Sequence, residues 1–192
     1  MERRTPYLVK AASAPEAGPL VVGIDPGAET GVAVWSVEAQ ALLHVGSGHF
    51  FDVLALLASR VPLDARVSLG GVAAGSSWAV GLVVVEDARR LPIYARRDGL
   101  QGRRRDRVCR DVGRVDRDVE LWEVWLLSRG LPVRLAEPLR GGKWDAATLE
   151  DLSGWTARTN QHGRDAARLV FGTTERHLQT WGGALSLPKG VS

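Results

Sequence analysis

The alternation of apolar and polar positions divides the chain into short strands and helices. "PLVVGIDP" (Pro19 to Pro26) is too apolar to face water on either side and reads as a buried strand, closed by the carboxylate of Asp25. "GVAVWSVE" and "ALLHVGSGHF" follow as β-branched, alternating segments around a short "EAQ" turn. They predict a three-stranded meander from Leu20 to His49. "FDVLALLASRV" repeats apolar residues at helical spacing and stops at Pro62. The Gly/Ala/Ser-rich stretch from Leu63 to Ala79 takes no assignment. "VGLVVVED" is again a buried strand that delivers carboxylates, Glu86 and Asp87, at its C-terminal end.

An arginine-rich stretch then reads as an exposed loop that enters a helix near Asp106. "DRDVELWEVWLLSRG" predicts a helix with a broad apolar face that ends at Gly130. "LPVRLAEP" is a further strand, "DAATLEDLSGW" a short helix capped by Asp145, and "HGRDAARLVFG" a last helix closed by Gly172. The tail "GGALSLPKGVS" reads as frayed. The order β-β-β-α-β-α-β-α implies an α/β fold with a mixed five-stranded sheet: hairpins join the first three strands, and the later ones need crossovers.

A chain of 192 residues suits a single domain. The expected boundaries are a flexible N-terminal arm at 1–19, the domain at 20–175 with a basic loop at 90–106, and a C-terminal tail at 176–192. No apolar run approaches the ~18–20 residues needed to span a bilayer, and the N-terminus lacks the long apolar core of a signal peptide. The expectation is a cytoplasmic protein with no membrane partner. A single cysteine, Cys109, excludes an internal disulfide and a multi-cysteine zinc site.

The net charge is +3, but its distribution matters more. Lysine occurs only at positions 10, 143 and 189, whereas arginines crowd the segment from Arg89 to Arg117. Acids interleave there (Asp98, Asp106, Asp111, Asp116, Asp118), so an ordinary solvated face is one reading. A ridge for a polyanion is the stronger one.

Three carboxylates stand out by placement. Asp25 and Glu86 end buried strands, and Asp165 sits on the last helix with His162 three residues before it on the same face. Each has an ordinary alternative. Asp25 could cap a turn, Glu86 or its neighbour Asp87 could be a surface charge, His162 could cap a helix or sit in the core, and Asp165 could pair with Arg164 or Arg168. Gathered at one sheet edge, they would suit hard divalent cations, a pair of which about 4 Å apart supports phosphodiester hydrolysis.

Together, "GIDPGAETGVAVW", "LVVVED" and "HGRDAARLV" resemble the RuvC family of Holliday-junction resolvases, within the RNase H-like superfamily. The similarity runs from about Val21 to Phe171 and leans toward divergent or phage-type branches. It implies an RNase H-like mixed five-stranded sheet flanked by helices, and a homodimeric, metal-dependent endonuclease of recombination and repair that cuts four-way or other branched DNA. Branch-migration machinery is a further candidate partner. The resemblance places two Mg2+ or Mn2+ ions on Asp25, Glu86 and Asp165, with His162 as fourth ligand or proton-transfer residue.

Expected DNA contacts are Arg89, Arg90, Tyr94, Arg96, Arg97, Arg103, Arg104, Arg105, Arg107, Lys143 and Arg164. The segment after Glu86 departs from the family in being far more basic, with Tyr94 its only aromatic; Tyr94 is the residue suited to stack on an exposed base. Alternatives are a related nuclease acting on structured RNA and a non-catalytic junction-binding relative. An actin-like kinase would need a second phosphate hairpin that the chain does not contain.

Overall fold

The computed structural model of the chain describes residues 18–60, 79–90 and 102–182. Within them run β1 (Leu20–Asp25), β2 (Thr30–Ser36), β3 (Ala41–Gly48), α1 (Phe50–Arg60), β4 (Val80–Glu86), a single 3-10 turn (Ala88–Arg90), α2 (Gly102–Ser128), β5 (Val133–Ala136), α3 (Ala146–Ser153), α4 (Gln161–Val170) and α5 (Glu175–Gly182). The strands form one sheet in the order β3-β2-β1-β4-β5. The β1–β2 and β2–β3 pairs are antiparallel, and β1–β4 and β4–β5 are parallel. This mixed sheet, flanked by helices in a single domain, is the arrangement expected of an RNase H-like fold.

The period of two along each strand assigns its side chains to opposite faces. Leu20, Val22 and Ile24 of β1, with Val83 and Val85 of β4, pack under α1 and α2 against Val53, Leu57, Val119, Trp122 and Leu126. Val21, Ala33, Trp35, Leu82 and Val84 pack on the other face against Leu149 of α3 and Ala166, Ala167 and Val170 of α4. Each buried valine, leucine or isoleucine among them contributes roughly 1.5–3 kcal/mol of hydrophobic burial. Trp122 is fully buried and meets Phe50 and Trp125 edge-on or tilted. This tryptophan therefore serves the core of the chain, not a surface.

Two elements differ from the sequence expectation. α2 is one helix of 27 residues that starts at Gly102, so positions 103–106 are helical and not loop. The reason is visible in the sequence: positions 102–107 hold only Gly, Arg and Asp, and the apolar spacing that marks a helix begins at Val108 and runs through Val112 and Val115 to Val119 and Trp122. α5 extends the packing past residue 175, with Leu178 and Trp181 against the core and Arg134 stacked 3.8 Å over the Trp181 ring. The stretch 61–78 and positions 91–101, including Tyr94, Arg96 and Arg97, lie outside the described residues. Among the described residues, no helix is long and apolar enough to cross a membrane.

Candidate active site at the sheet edge

β1 and β4 run parallel as neighbours, with Ile24 opposite Val85. Their C-terminal ends therefore open on the same edge, where ligands of open α/β sheets are commonly received. Strand parity settles which acids face which helix. Asp25 continues the face of Val21 and Gly23, and Glu86 continues that of Leu82 and Val84, so both point to the α4 side. Asp87 has the opposite parity. It is buried, binds Arg89 bidentately (Nε at 2.7 Å, Nη2 at 3.2 Å) and pairs with Arg90 at 3.4 Å. Arg89 reaches on to Glu123 of α2 at 3.3 Å. Of the two adjacent acids, Asp87 is thus a clamp between strand end and helix, and Glu86 is left to the site.

α4 comes close enough to complete the site because two strand positions carry no side chain. A Cβ on Gly31 would collide with the carbonyl oxygen of His162, and one on Gly23 with that of Ala166. Gly31 is also the cross-strand partner of Asp25, so the helix start lies directly over the strand end. That start is fixed by Asn160, whose side chain accepts from the Gly163 amide at 3.0 Å. The Asn160 amide nitrogen donates to Glu29 and Ser47, each at 2.6 Å, which ties the β1–β2 turn and β3 to the helix cap.

The result joins His162 Nδ1 to Asp25 Oδ2 at 3.0 Å. A carboxylate only accepts, so the ring proton sits on Nδ1 and the outer nitrogen, Nε2, is left for other partners. This hydrogen bond is the largest influence holding the His162 pKa above its usual value. Asp165 accepts from Gln161 Nε2 at 2.7 Å and pairs with Lys143 Nζ at 3.1 Å. Glu86 makes none of these bonds. Burial first, then the charges of Asp25 and Asp165, push its pKa up to about 7.

Asp25, Glu86, His162 and Asp165 are therefore brought to one edge. Among the described residues, no group of three or more such side chains stands already arranged as a metal cage. The donor chemistry nevertheless fits a divalent cation: the carboxylates are hard oxygen donors, and the repulsion that Asp25 and Asp165 exert on Glu86 is what such a cation relieves.

The predicted nucleic-acid contacts fall into three groups. Arg89 is engaged by Asp87 and Glu123, and Arg164 donates to the carbonyls of Trp144 and Thr159, the Thr159 hydroxyl and Gln161 Oε1. Both are internal fasteners in this structure. Lys143 stays exposed beside Asp165, and Arg90, also exposed, pairs with Asp87 away from the site. Arg103, Arg104, Arg105 and Arg107 belong to the first turns of α2, and helical register lines positions 103 and 107 up with 110, 114 and 117. Arg110, Arg114 and Arg117 are exposed. Sequence reasoning passed over these three as contacts, although their spacing of four and three was the signal. It also passed over Gln161 and the Asn160–Glu29–Ser47 tie, of which only the helix-cap pattern at Asn160 was readable.

No family model matches the chain, and no curated protein sequence matches it. Among solved structures it is similar to the T. thermophilus RuvC in complex with Holliday junction substrate. The identity is 18%, the TM-score 0.43, and the match covers 79% of this chain and 90% of that one.

Proposed function

We propose that this chain is a metal-dependent endonuclease that hydrolyses phosphodiester bonds in branched DNA, with four-way junctions as the preferred substrate. The observation that carries the reading is the pairing of His162 with Asp25 at the C-terminal edge shared by β1 and β4, where Glu86 also ends within the fields of Asp25 and Asp165. The choice of branched DNA rests on the motif resemblance described above.

In this reading Asp25, Glu86 and Asp165 would hold two Mg2+ or Mn2+ ions. When bound, these ions supply the positive charge that orients a water and stabilises the leaving oxygen. His162 donates a hydrogen bond from Nδ1 to Asp25, which leaves Nε2 as the atom that would exchange a proton with the leaving group. A free Nε2 with Nδ1–H held by a carboxylate serves equally for a fourth metal ligand, so His162 keeps both roles in this reading. The line of arginines on α2 would follow a phosphate backbone without reading its sequence. A two-fold substrate cut on two strands suits a homodimer; Phe51 and Val124, exposed on the α1–α2 side, are apolar surface available to a second copy.

The test is cleavage of a labelled four-way junction, a linear duplex and a structured RNA, each in Mg2+ and Mn2+. Junction cutting that needs metal and exceeds duplex cutting supports the reading. RNA cutting alone transfers the chemistry to a different substrate, and binding without any cutting reduces the chain to a junction-binding module.

A further inference from the structure

Lys143 is one of three lysines in a chain whose cations are otherwise arginines, and its ammonium lies 3.1 Å from Asp165 Oδ2. The backbone on both sides of it is fastened to the helix that carries Asp165. Arg164 donates to the carbonyl of Trp144 at 2.9 Å, and Arg168 donates to that of Arg140 at 3.4 Å. The Trp144 ring meets Phe171 edge-on at 5.4 Å. Two arginines of α4 thus present the loop so that its lysine faces α4's own carboxylate.

The charges around the site explain what such a lysine does. Glu86 faces Asp25 and Asp165, and the cations whose fields oppose that repulsion are Lys143 and Arg168. Arg168 is committed to the Arg140 carbonyl, and His162 to Asp25. Lys143 is the one of these cations whose head group rests on Asp165, and it is largely exposed on a four-carbon stem, so it can swing away without disturbing the fold.

We propose that Lys143 is a resident counter-cation of the carboxylate site, holding Asp165 in place until a divalent ion displaces it. This inference rests on the metal-dependent reading above. Displacement costs the ion pair, so Lys143 weakens metal binding in the free protein. Once released, it stands beside the site where a substrate phosphate would enter.

The test is Mn2+ titrated into the full chain without nucleic acid, with free Mn2+ read by electron paramagnetic resonance. Wild type is compared with Lys143→Met and Lys143→Arg. Lys143→Met should bind Mn2+ roughly 1.5–5-fold more tightly, the range expected for one exposed ion pair, while Lys143→Arg stays near wild type. Without metal, Lys143→Met should melt below wild type, and saturating Mn2+ should close that gap. Equal or weaker Mn2+ binding by Lys143→Met overturns the inference, because a lysine that serves only to contact DNA would alter neither readout. If wild type binds no Mn2+ at all, the metal-dependent reading fails with it.

Discussion

His162 Nδ1 and Asp25 Oδ2 lie 3.0 Å apart although 137 positions separate them in sequence. The contact fixes where α4 begins relative to the end of β1, and with it the distance from Asp165 to Glu86. It exists because the helix lies almost backbone to backbone on the strands, over glycines that leave it room.

That close approach predicts the outcome of adding one methyl group. Gly31→Ala puts a Cβ on the His162 carbonyl and forces α4 outward. The expected cost is about 1–3 kcal/mol, typical of overpacking, together with a broken His162–Asp25 bond. Chemical denaturation gives the first, and the His162 pKa by NMR gives the second, which should fall toward the ordinary histidine value. An unchanged histidine pKa would mean that α4 tolerates the methyl in place.

The buried clamp on the other side of the strand end makes a different prediction. Asp87→Ala leaves Arg89 and Arg90 without their carboxylate and frees the turn after β4. Because Arg89 is partly exposed, the expected loss is roughly 1–3 kcal/mol, below that of a wholly buried pair. Arg89→Ala should cost less than Asp87→Ala, since Arg90 still reaches the acid. Urea midpoints of the two variants check this order.

Acid–base linkage predicts the behaviour of the metal-free protein. Glu86 has a folded pKa raised to about 7 from 4.5, so the stability it contributes is present below about pH 4.5 and lost as pH rises toward 7. His162, also raised, acts in the same sense above 6.5. His44 is buried, with Nε2 unbonded and a lowered pKa, and acts oppositely: its contribution is present above 6.5 and lost in acid. The difference between wild type and Glu86→Gln isolates the glutamate. It should move against wild type by roughly 1–2 kcal/mol between pH 5 and 8, after allowance for solvent screening. Mn2+ should abolish that trend. A difference that is flat with pH would show that burial and the neighbouring acids do not raise the Glu86 pKa.

Much of this arrangement was legible from the sequence where apolar patterning is strong. β1, β2 and β4 are runs that no other element could bury, and the Asp145 cap follows from helix-end chemistry, its side chain accepting from Thr148 at 2.8 Å. What escaped has a physical reason in each case. Positions 102–107, the first turns of α2, contain no apolar residue, so their helical state rests on continuity with the stripe that starts at Val108. α5 offers only Leu178 and Trp181 to the core. Glu86 was chosen over Asp87 on the motif resemblance alone, and counting alternate positions back to Leu82 and Val84 gives the physical reason in the facing of β4. The Lys143–Asp165 pair joins a loop to a helix across 22 positions, and no local pattern encodes that.

The central claim is that Asp25 works with Glu86 and Asp165 as a metal-dependent hydrolytic centre. Its most direct test is the initial rate of four-way-junction cleavage in Mn2+ by wild type and Asp25→Asn, with junction binding measured in Ca2+. The account predicts at least a ~100-fold loss of rate, the scale seen when one charge-stabilising group is removed, with binding retained. Cleavage by Asp25→Asn at the wild-type rate would contradict it.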